Sequence, residues 1–265
     1  MLKRSLLAAA LALLPAMPVL SQSGSDVARL DTVHGWRMAD GNHMAALQIT
    51  MRPGWHTYWR TPGEVGIPPQ FSWRGSDNVA AVSMHWPVPE TFRSNGYRSI
   101  GYEDSLILPV EVVAKSSGPI RLSGEMTFGA CEEVCVPVTL PFAIDLTEAA
   151  SAPHPGIDRA LKNRPSGRKQ GGVTAVECVL SPTRDGLSLR ASVTMPILGA
   201  DELAVVELPD PSVWISGGAT VREGSVITTE AELVPTEKAA FAVNRSDIRI
   251  TVIGDGQAVD IRGCG

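Results

Sequence analysis

Two cysteines four positions apart, Cys131 and Cys135 in Phe128-Gly-Ala-Cys-Glu-Glu-Val-Cys-Val-Pro137, are the residues whose type and spacing most directly imply chemistry. They can close a small disulfide. A ring this small restrains little of the unfolded chain, so it stabilises less than a long-range bridge. Small, strained or exposed disulfides are also the more easily reduced ones. The pair therefore reads as a redox centre that exchanges electrons with another protein, with a structural disulfide at a strand end as the other reading of the same residues. Exchange requires a thiolate, which a cation or a helix amino terminus usually stabilises. The local sequence supplies Glu132 and Glu133 instead, with no Lys, Arg or His. Nearby carboxylates disfavour a further negative charge. Sequence neighbours thus do not depress the thiol pKa, and the sign favours a reductant over an oxidant.

Strand periodicity positions these thiols. Ile120, Leu122, Met126 and Phe128 alternate with Arg121, Ser123, Glu125 and Thr127, which predicts a half-buried strand running into Cys131. Val138, Leu140, Phe142, Ile144 and Leu146 alternate with Thr139, Pro141, Ala143 and Asp145, a second strand beyond Cys135. Pro141 lacks an N–H and places that strand at a sheet edge. Ala45–Met51 and Leu106–Ala114 are further strand candidates, whereas the aromatic and proline-rich stretch Trp55 to Tyr102 shows no regular pattern. Thr147 to Gly172, rich in proline, glycine and basic residues, reads as a linker holding a short helix over Ile157–Asn163. Strand patterns resume at Val173–Leu180 and Leu187–Met195 around the turn Arg184-Asp-Gly186. Val226–Leu233, Ile248–Ile253 and Ala258–Ile261 follow, the last two joined by Gly254-Asp-Gly256. With 20 prolines, 25 glycines and few helical patterns, the chain is expected to be all-β, with two β-sandwich-like domains. The expected boundaries are 22–147 for the redox domain, 148–172 for the linker and 173–265 for the second β domain.

Cys178 falls in the first strand of the second domain and Cys264 beside the carboxyl terminus, so joining them would staple that domain end to end. The chain-entropy model puts closure of so long a loop at roughly 4.6 kcal/mol. Strand parity opposes the pairing, because Cys264 shares a face with Asp260 and Arg262, but Gly263 allows a bend. A structural disulfide is expected here.

Lys3 and Arg4, the apolar run Leu6 to Leu14, Pro15, Pro18 and small residues to Ser21 form a signal-peptide pattern over 1–21. The run is shorter than the ~20 residues that span a bilayer, and no later segment is long enough. Export, to the periplasm, is expected; it suits four cysteines, an even number. A net charge of −5 offers no electrostatic footprint for nucleic acid or an anionic membrane. No hydrolase elbow, Walker loop or dinucleotide fingerprint is present, so no cofactor is expected. The five histidines lack ligand spacing, so no metal site is expected from them. Tryptophans 36, 55, 59, 73 and 86 fit core packing better than a sugar-stacking face.

The segments Trp55-His-Thr-Tyr-Trp59, Thr61-Pro-Gly63, Gly66-Ile-Pro-Pro69, Phe71-Ser-Trp73, Trp86-Pro-Val-Pro89, Gly101-Tyr-Glu103 and Cys131-Glu-Glu-Val-Cys-Val-Pro137 resemble the amino-terminal periplasmic domain of the DsbD and ScsB disulfide reductases. The resemblance covers roughly residues 30 to 147. It implies an immunoglobulin-like β-sandwich whose Cys131–Cys135 pair passes electrons to or from thioredoxin-like periplasmic proteins, with cytochrome c biogenesis among the associated processes. By position it implies Tyr102 in the active-site surround, with Phe92 and Tyr97 as candidates for the aromatic cap over the disulfide. Full-length members continue into membrane helices and a thioredoxin-like domain; this chain shows neither, so the membrane electron donor is expected to be a separate polypeptide, or absent. Two readings from other classes stay open beside the interchange protein. One is a Cu(I) or copper-stress module using Met126, Cys131 and Cys135. The other is a non-catalytic interaction domain with structural disulfides.

Overall fold

The computed structural model describes residues 26–94, 96–146, 153–237 and 242–264; the expected signal peptide lies outside them. The first half carries β1 (Ala28–Arg37), β2 (His43–Met51), β3 (His56–Gly63), β4 (Gln70–Ser72), β5 (Val79–Met84), β6 (Glu90–Ser94), β7 (Tyr97–Glu103), β8 (Ser105–Ala114), β9 (Arg121–Cys131) and β10 (Cys135–Asp145). After α1 (Pro155–Lys162) come β11 (Ser166–Gly167), β12 (Ala175–Pro182), β13 (Leu187–Thr194), β14 (Leu203–Glu207), β15 (Val213–Ile215), β16 (Thr220–Glu223), β17 (Val226–Pro235), β18 (Arg249–Gly254) and β19 (Gln257–Arg262).

The first unit is an antiparallel sandwich of β1-β2-β8-β5 against β10-β9-β3-β7-β6, with β4 also on β9. Its core forms because alternation in β9 turns Leu122, Met126, Phe128 and Ala130 inward onto Leu47, Leu108 and Val110. Among the described strands β10 pairs only with β9, the edge position that Pro141 requires. Trp55, Trp59 and Trp86 are buried in the core, and Trp73 packs against it stacked on Phe71. The second unit pairs β11-β19-β18-β14 with β12-β13-β17-β15, and β16 adds to β17. Leu189, Ala191 and Val193 of β13, followed by Met195, share the face turned into its core.

The stretch from Trp55 to Tyr102, unpatterned in sequence, contains five strands. β3 is broken by a register shift between Tyr58 and Gly63, and β5 shows no clean alternation of burial, so a period of two is lost. β14 carried no strand signal for a different reason. Its residues Leu203 to Val206 are all buried, with Leu203 and Val205 joining the first unit's core and Ala204 and Val206 the second's.

The segment expected to be a linker is docked. Pro155 opens α1, where a missing N–H is harmless, and His154 accepts from Gly156 N–H at 3.2 Å as its cap. Ile157 is fully buried against Met44 and Ala46. Beyond the helix, Asn163 C=O accepts from Val88 N–H at 2.6 Å, and Arg164 meets His85 at 3.0 Å. β11 then joins the second unit by parallel pairing with β19.

Candidate functional site

Cys131 ends β9 and Cys135 begins β10, directly opposite each other in the hairpin, with Cα atoms 4.1 Å apart and a disulfide between them. The two cysteines are unequal. Cys131 is 1% exposed, whereas Cys135 lies open beside Val134, which is 71% exposed at the hairpin tip. Glu132 and Glu133 are exposed in the same tip.

Strand register assembles the rest. His56 of β3 is opposite Cys131 on one side and Glu103 of β7 on the other, so Cys135, Cys131, His56 and Glu103 form one row across the sheet. In-register residues of antiparallel strands share a face. Two residues along β3, Tyr58 returns to that face. Its hydroxyl lies 3.0 Å from Cys131 Sγ and 3.1 Å from Cys135 Sγ. Tyr58 is only 3% exposed. Burial raises its pKa above the ordinary phenol range, so it is a neutral donor at neutral pH.

The cover over Tyr58 has a topological origin. β3 pairs with the end of β9 through His56 and Thr57, and β4 rejoins β9 at Thr127 to Glu125. The chain between them, residues 64–69, is left outside the sheet and folds over the tyrosine. Gly66, at φ +132°, lies against one side of the Tyr58 ring closely enough that any Cβ would overlap it. On the other side, a Cβ at Gly129 would stand 3.0 Å from both Ile67 Cβ and Tyr58 Cε2. A glycine of the covering loop and a glycine of β9 thus make the slot that the ring occupies.

Phe92, expected as a cap candidate, stacks on His56 at 4.9 Å between ring centroids, and His56 meets the Tyr58 ring edge-on at 5.6 Å. Burial lowers the His56 pKa, with Glu103 opposing, so the imidazole adds no standing positive charge near neutral pH. Tyr102 is placed otherwise: it faces the core, stacked on Trp86, and its hydroxyl donates to Pro87 C=O at 2.8 Å. Tyr97 is exposed at the start of β7, six residues and roughly 20 Å along the strand from the row containing Glu103. The sequence reading missed Tyr58 and His56 as site residues. Both lie in the aromatic segment Trp55–Trp59, and the usable signal was their shared parity, opposite to the core residues Trp55, Thr57 and Trp59.

Met126 does not converge with the thiols. It lies five residues, roughly 17 Å, up β9 from Cys131, on the opposite face and 1% exposed in the core. The other pair, Cys178 and Cys264, is also disulfide-bonded, with Cα atoms 5.6 Å apart and both residues 6% exposed. The parity conflict is resolved at Gly263, whose φ of +79° redirects the chain so that Cys264 N–H reaches Arg245 C=O at 2.9 Å. Arg245 Nη1 donates to Cys178 C=O at 2.6 Å, which fixes the two ends together.

The family model described as "Thiol:disulfide interchange protein DsbD, N-terminal" matches residues 28–144. The fold is similar to the crystal structure of the N-terminal periplasmic domain of ScsB from Proteus mirabilis. That similarity has a TM-score of 0.69 and 23% identity, over 93% of this chain and 97% of that one. It extends past residue 147, so the arrangement of both units is shared, beyond the first sandwich. No curated protein sequence matches. Together these findings support a thiol:disulfide interchange domain, and the Cys131–Cys135 disulfide lies within the matched residues. The ScsB domain is periplasmic, and among the described residues no helix is long and apolar enough to cross a membrane.

Proposed function

We propose that this protein is a periplasmic thiol–disulfide interchange component in which Cys135 meets the partner and Cys131 resolves. The observation that carries this is the asymmetry of the hairpin: one cysteine buried, the other exposed, and both sulfurs within reach of a single neutral hydroxyl. In the reduced protein, the Cys135 thiolate attacks one sulfur of a partner disulfide. A mixed disulfide forms, and the partner's other sulfur leaves as a thiolate. The Cys131 thiolate then attacks Cys135 Sγ, re-forming the Cys131–Cys135 bond and releasing the partner's second thiolate. Two electrons pass to the partner. Recharging runs the same steps backwards from a dithiol donor. Tyr58 donates to whichever sulfur carries the charge and cannot add charge of its own.

Thioredoxin-like periplasmic proteins fit as partners, because a protruding hairpin sulfur needs a partner whose own disulfide is open to in-line attack. In this reading residues 22–147 form the redox domain and 173–265 a second domain, with 148–172 as a docked connection.

The test is a thiol count across a graded glutathione or dithiothreitol series, with folding followed in parallel and Cys131→Ser as control. Reversible reduction of one disulfide in a persisting fold, absent from the control, supports interchange. In Cys131→Ser the unresolved mixed disulfide should accumulate on Cys135. If both disulfides resist until the protein unfolds, the pair is structural and the interaction-domain reading takes its place.

A further inference from the structure

The second β unit reaches the redox centre through Glu207. Its carboxylate, at the end of β14, accepts from Arg60 Nε at 2.8 Å, Arg60 Nη2 at 2.9 Å and the Thr61 hydroxyl at 2.8 Å. Arg60 also lies over the Trp59 ring, 3.7 Å from its centroid, and donates to Thr251 Oγ1 at 3.2 Å. The Arg60 and Glu207 side chains are 14% and 12% exposed, so water competes little for this pair. Arg60 and Thr61 are the two residues of β3 that come second and third after Tyr58.

Past Thr61 the chain enters the loop that covers Tyr58, and both sides of that loop are held. Glu64 N–H donates to Arg98 C=O at 3.0 Å, and the Glu64 carboxylate accepts from Arg98 N–H at 3.1 Å. Gly217 of the second unit sits against Glu64, where a Cβ would stand 2.7 Å from Glu64 Cγ. Two residues on, Gly66 touches the Tyr58 ring, and Ile67 closes on Gly129 beside it. A continuous set of close contacts therefore runs from Glu207 and Gly217, through residues 60–67, to the hydroxyl on the two sulfurs. That hydroxyl has little latitude. At 3.0 and 3.1 Å from the sulfurs, a displacement of about 1 Å removes it from hydrogen-bonding range.

We propose that Glu207 is a positioning residue for the redox centre: by clamping Arg60 and Thr61 it makes the second unit hold the covering loop, and hence Tyr58, in the geometry that stabilises the Cys135 thiolate. The role assigned to the thiolate rests on the interchange reading above. The second unit is then part of the redox device and more than a docking module.

The test is a double-mutant cycle read by the pH dependence of iodoacetamide alkylation of Cys135, with Cys131–Cys135 reduced and Cys178–Cys264 intact. Glu207→Gln and the milder Thr61→Val are each made in the wild-type and Tyr58→Phe backgrounds. Glu230→Gln, at the exposed Arg190–Glu230 pair of the second unit, is the control. Circular dichroism and thermal melts establish that each variant is folded, and Thr61→Val carries the test should Glu207→Gln fail to fold. The clamp variants should raise the alkylation midpoint by half a unit to about one unit, roughly 3- to 10-fold slower alkylation at pH 7. They should add nothing in Tyr58→Phe, because the effect passes through the missing hydroxyl. An unchanged midpoint, or an equal shift in both backgrounds, overturns the proposal. The midpoint does not depend on any partner, so a wild-type pair that fails to equilibrate with glutathione while the cycle behaves as stated counts against the interchange reading and leaves the positioning role standing.

Discussion

Removing one oxygen, by Tyr58→Phe, isolates the contribution of the hydroxyl that touches both sulfurs. The ring remains in its slot between Gly66 and Gly129, so packing is preserved and only the donor is lost. A hydrogen bond to a charged group contributes about 1.5–3 kcal/mol. One pKa unit corresponds to about 1.4 kcal/mol, so the full bond would shift a thiolate by about one to two units. Cys135 is open to water, which replaces part of the lost bond, and the lower end applies. The expectation is a rise of about one unit in the Cys135 thiol pKa and up to about 10-fold slower alkylation at pH 7. The reduced protein should also lose ground to the disulfide, because the donor favours the thiolate form. The assay is the rate of iodoacetamide labelling of the selectively reduced protein between pH 6 and 10, about two units either side of an ordinary thiol, with the labelled site read by mass spectrometry. A midpoint that stays put or moves down refutes the reasoning, since a neutral donor that lies about 3 Å from both disulfide sulfurs favours the charged form of whichever sulfur it still reaches after reduction.

Gly129→Ala should act on the same hydroxyl by a different route: its Cβ would press on Ile67 and Tyr58 at 3.0 Å, and the tyrosine must give way. Its labelling midpoint should rise by less than that of Tyr58→Phe, because a shift of a few tenths of an ångström relieves the contact, and a lowered midpoint would exclude the slot as the positioning device. Cys178→Ser should cost about 2–5 kcal/mol in urea unfolding, near the ~4.6 kcal/mol expected for an 86-residue separation. The Cys131–Cys135 redox equilibrium should stay unchanged, and a parallel change would show that the second bridge is not purely structural. Arg222→Gln strips the cationic partner from Glu202, whose side chain is 4% exposed, and should destabilise by about 3 kcal/mol; a loss under about 1 kcal/mol would mean that the remaining Leu198 N–H and water already serve this carboxylate. Burial, aided by Arg37, lowers the His43 pKa below the unfolded value of 6.5. As pH falls through and below 6.5 the unfolded chain takes up the proton first, so this stability contribution is present above 6.5 and declines beneath it. His43→Gln should flatten the fall in urea midpoint between about pH 7.5 and 5.5, and identical slopes would assign the titration elsewhere.

Much of this architecture is legible along the chain, and it is legible where alternation is clean. Ile120 to Phe128 and Val138 to Leu146 state which residues face inward, and Pro141 states that its strand is an edge; β9 and β10 follow both statements. The two cysteines, their spacing and the carboxylates between them are local facts, and they suffice to point to thiol chemistry. What period-two patterning cannot state is which strand lies alongside which, because it records only inside and outside within one segment. Tyr58 and Cys131 are 73 residues apart, and nothing local to either names the other. Their meeting depends on β3 pairing with β9 at His56 and Thr57 before the chain leaves to form a cover and returns as β4. β14 was hidden for a related reason: with Leu203 to Val206 all buried, between two cores, it has no exposed face to alternate with. The sequence by itself thus determined the closely spaced cysteine pair and the β character of both halves. Only the tertiary structure decided the environment of the sulfurs and its link to the second unit, because both are made by contacts between segments whose patterns are independent.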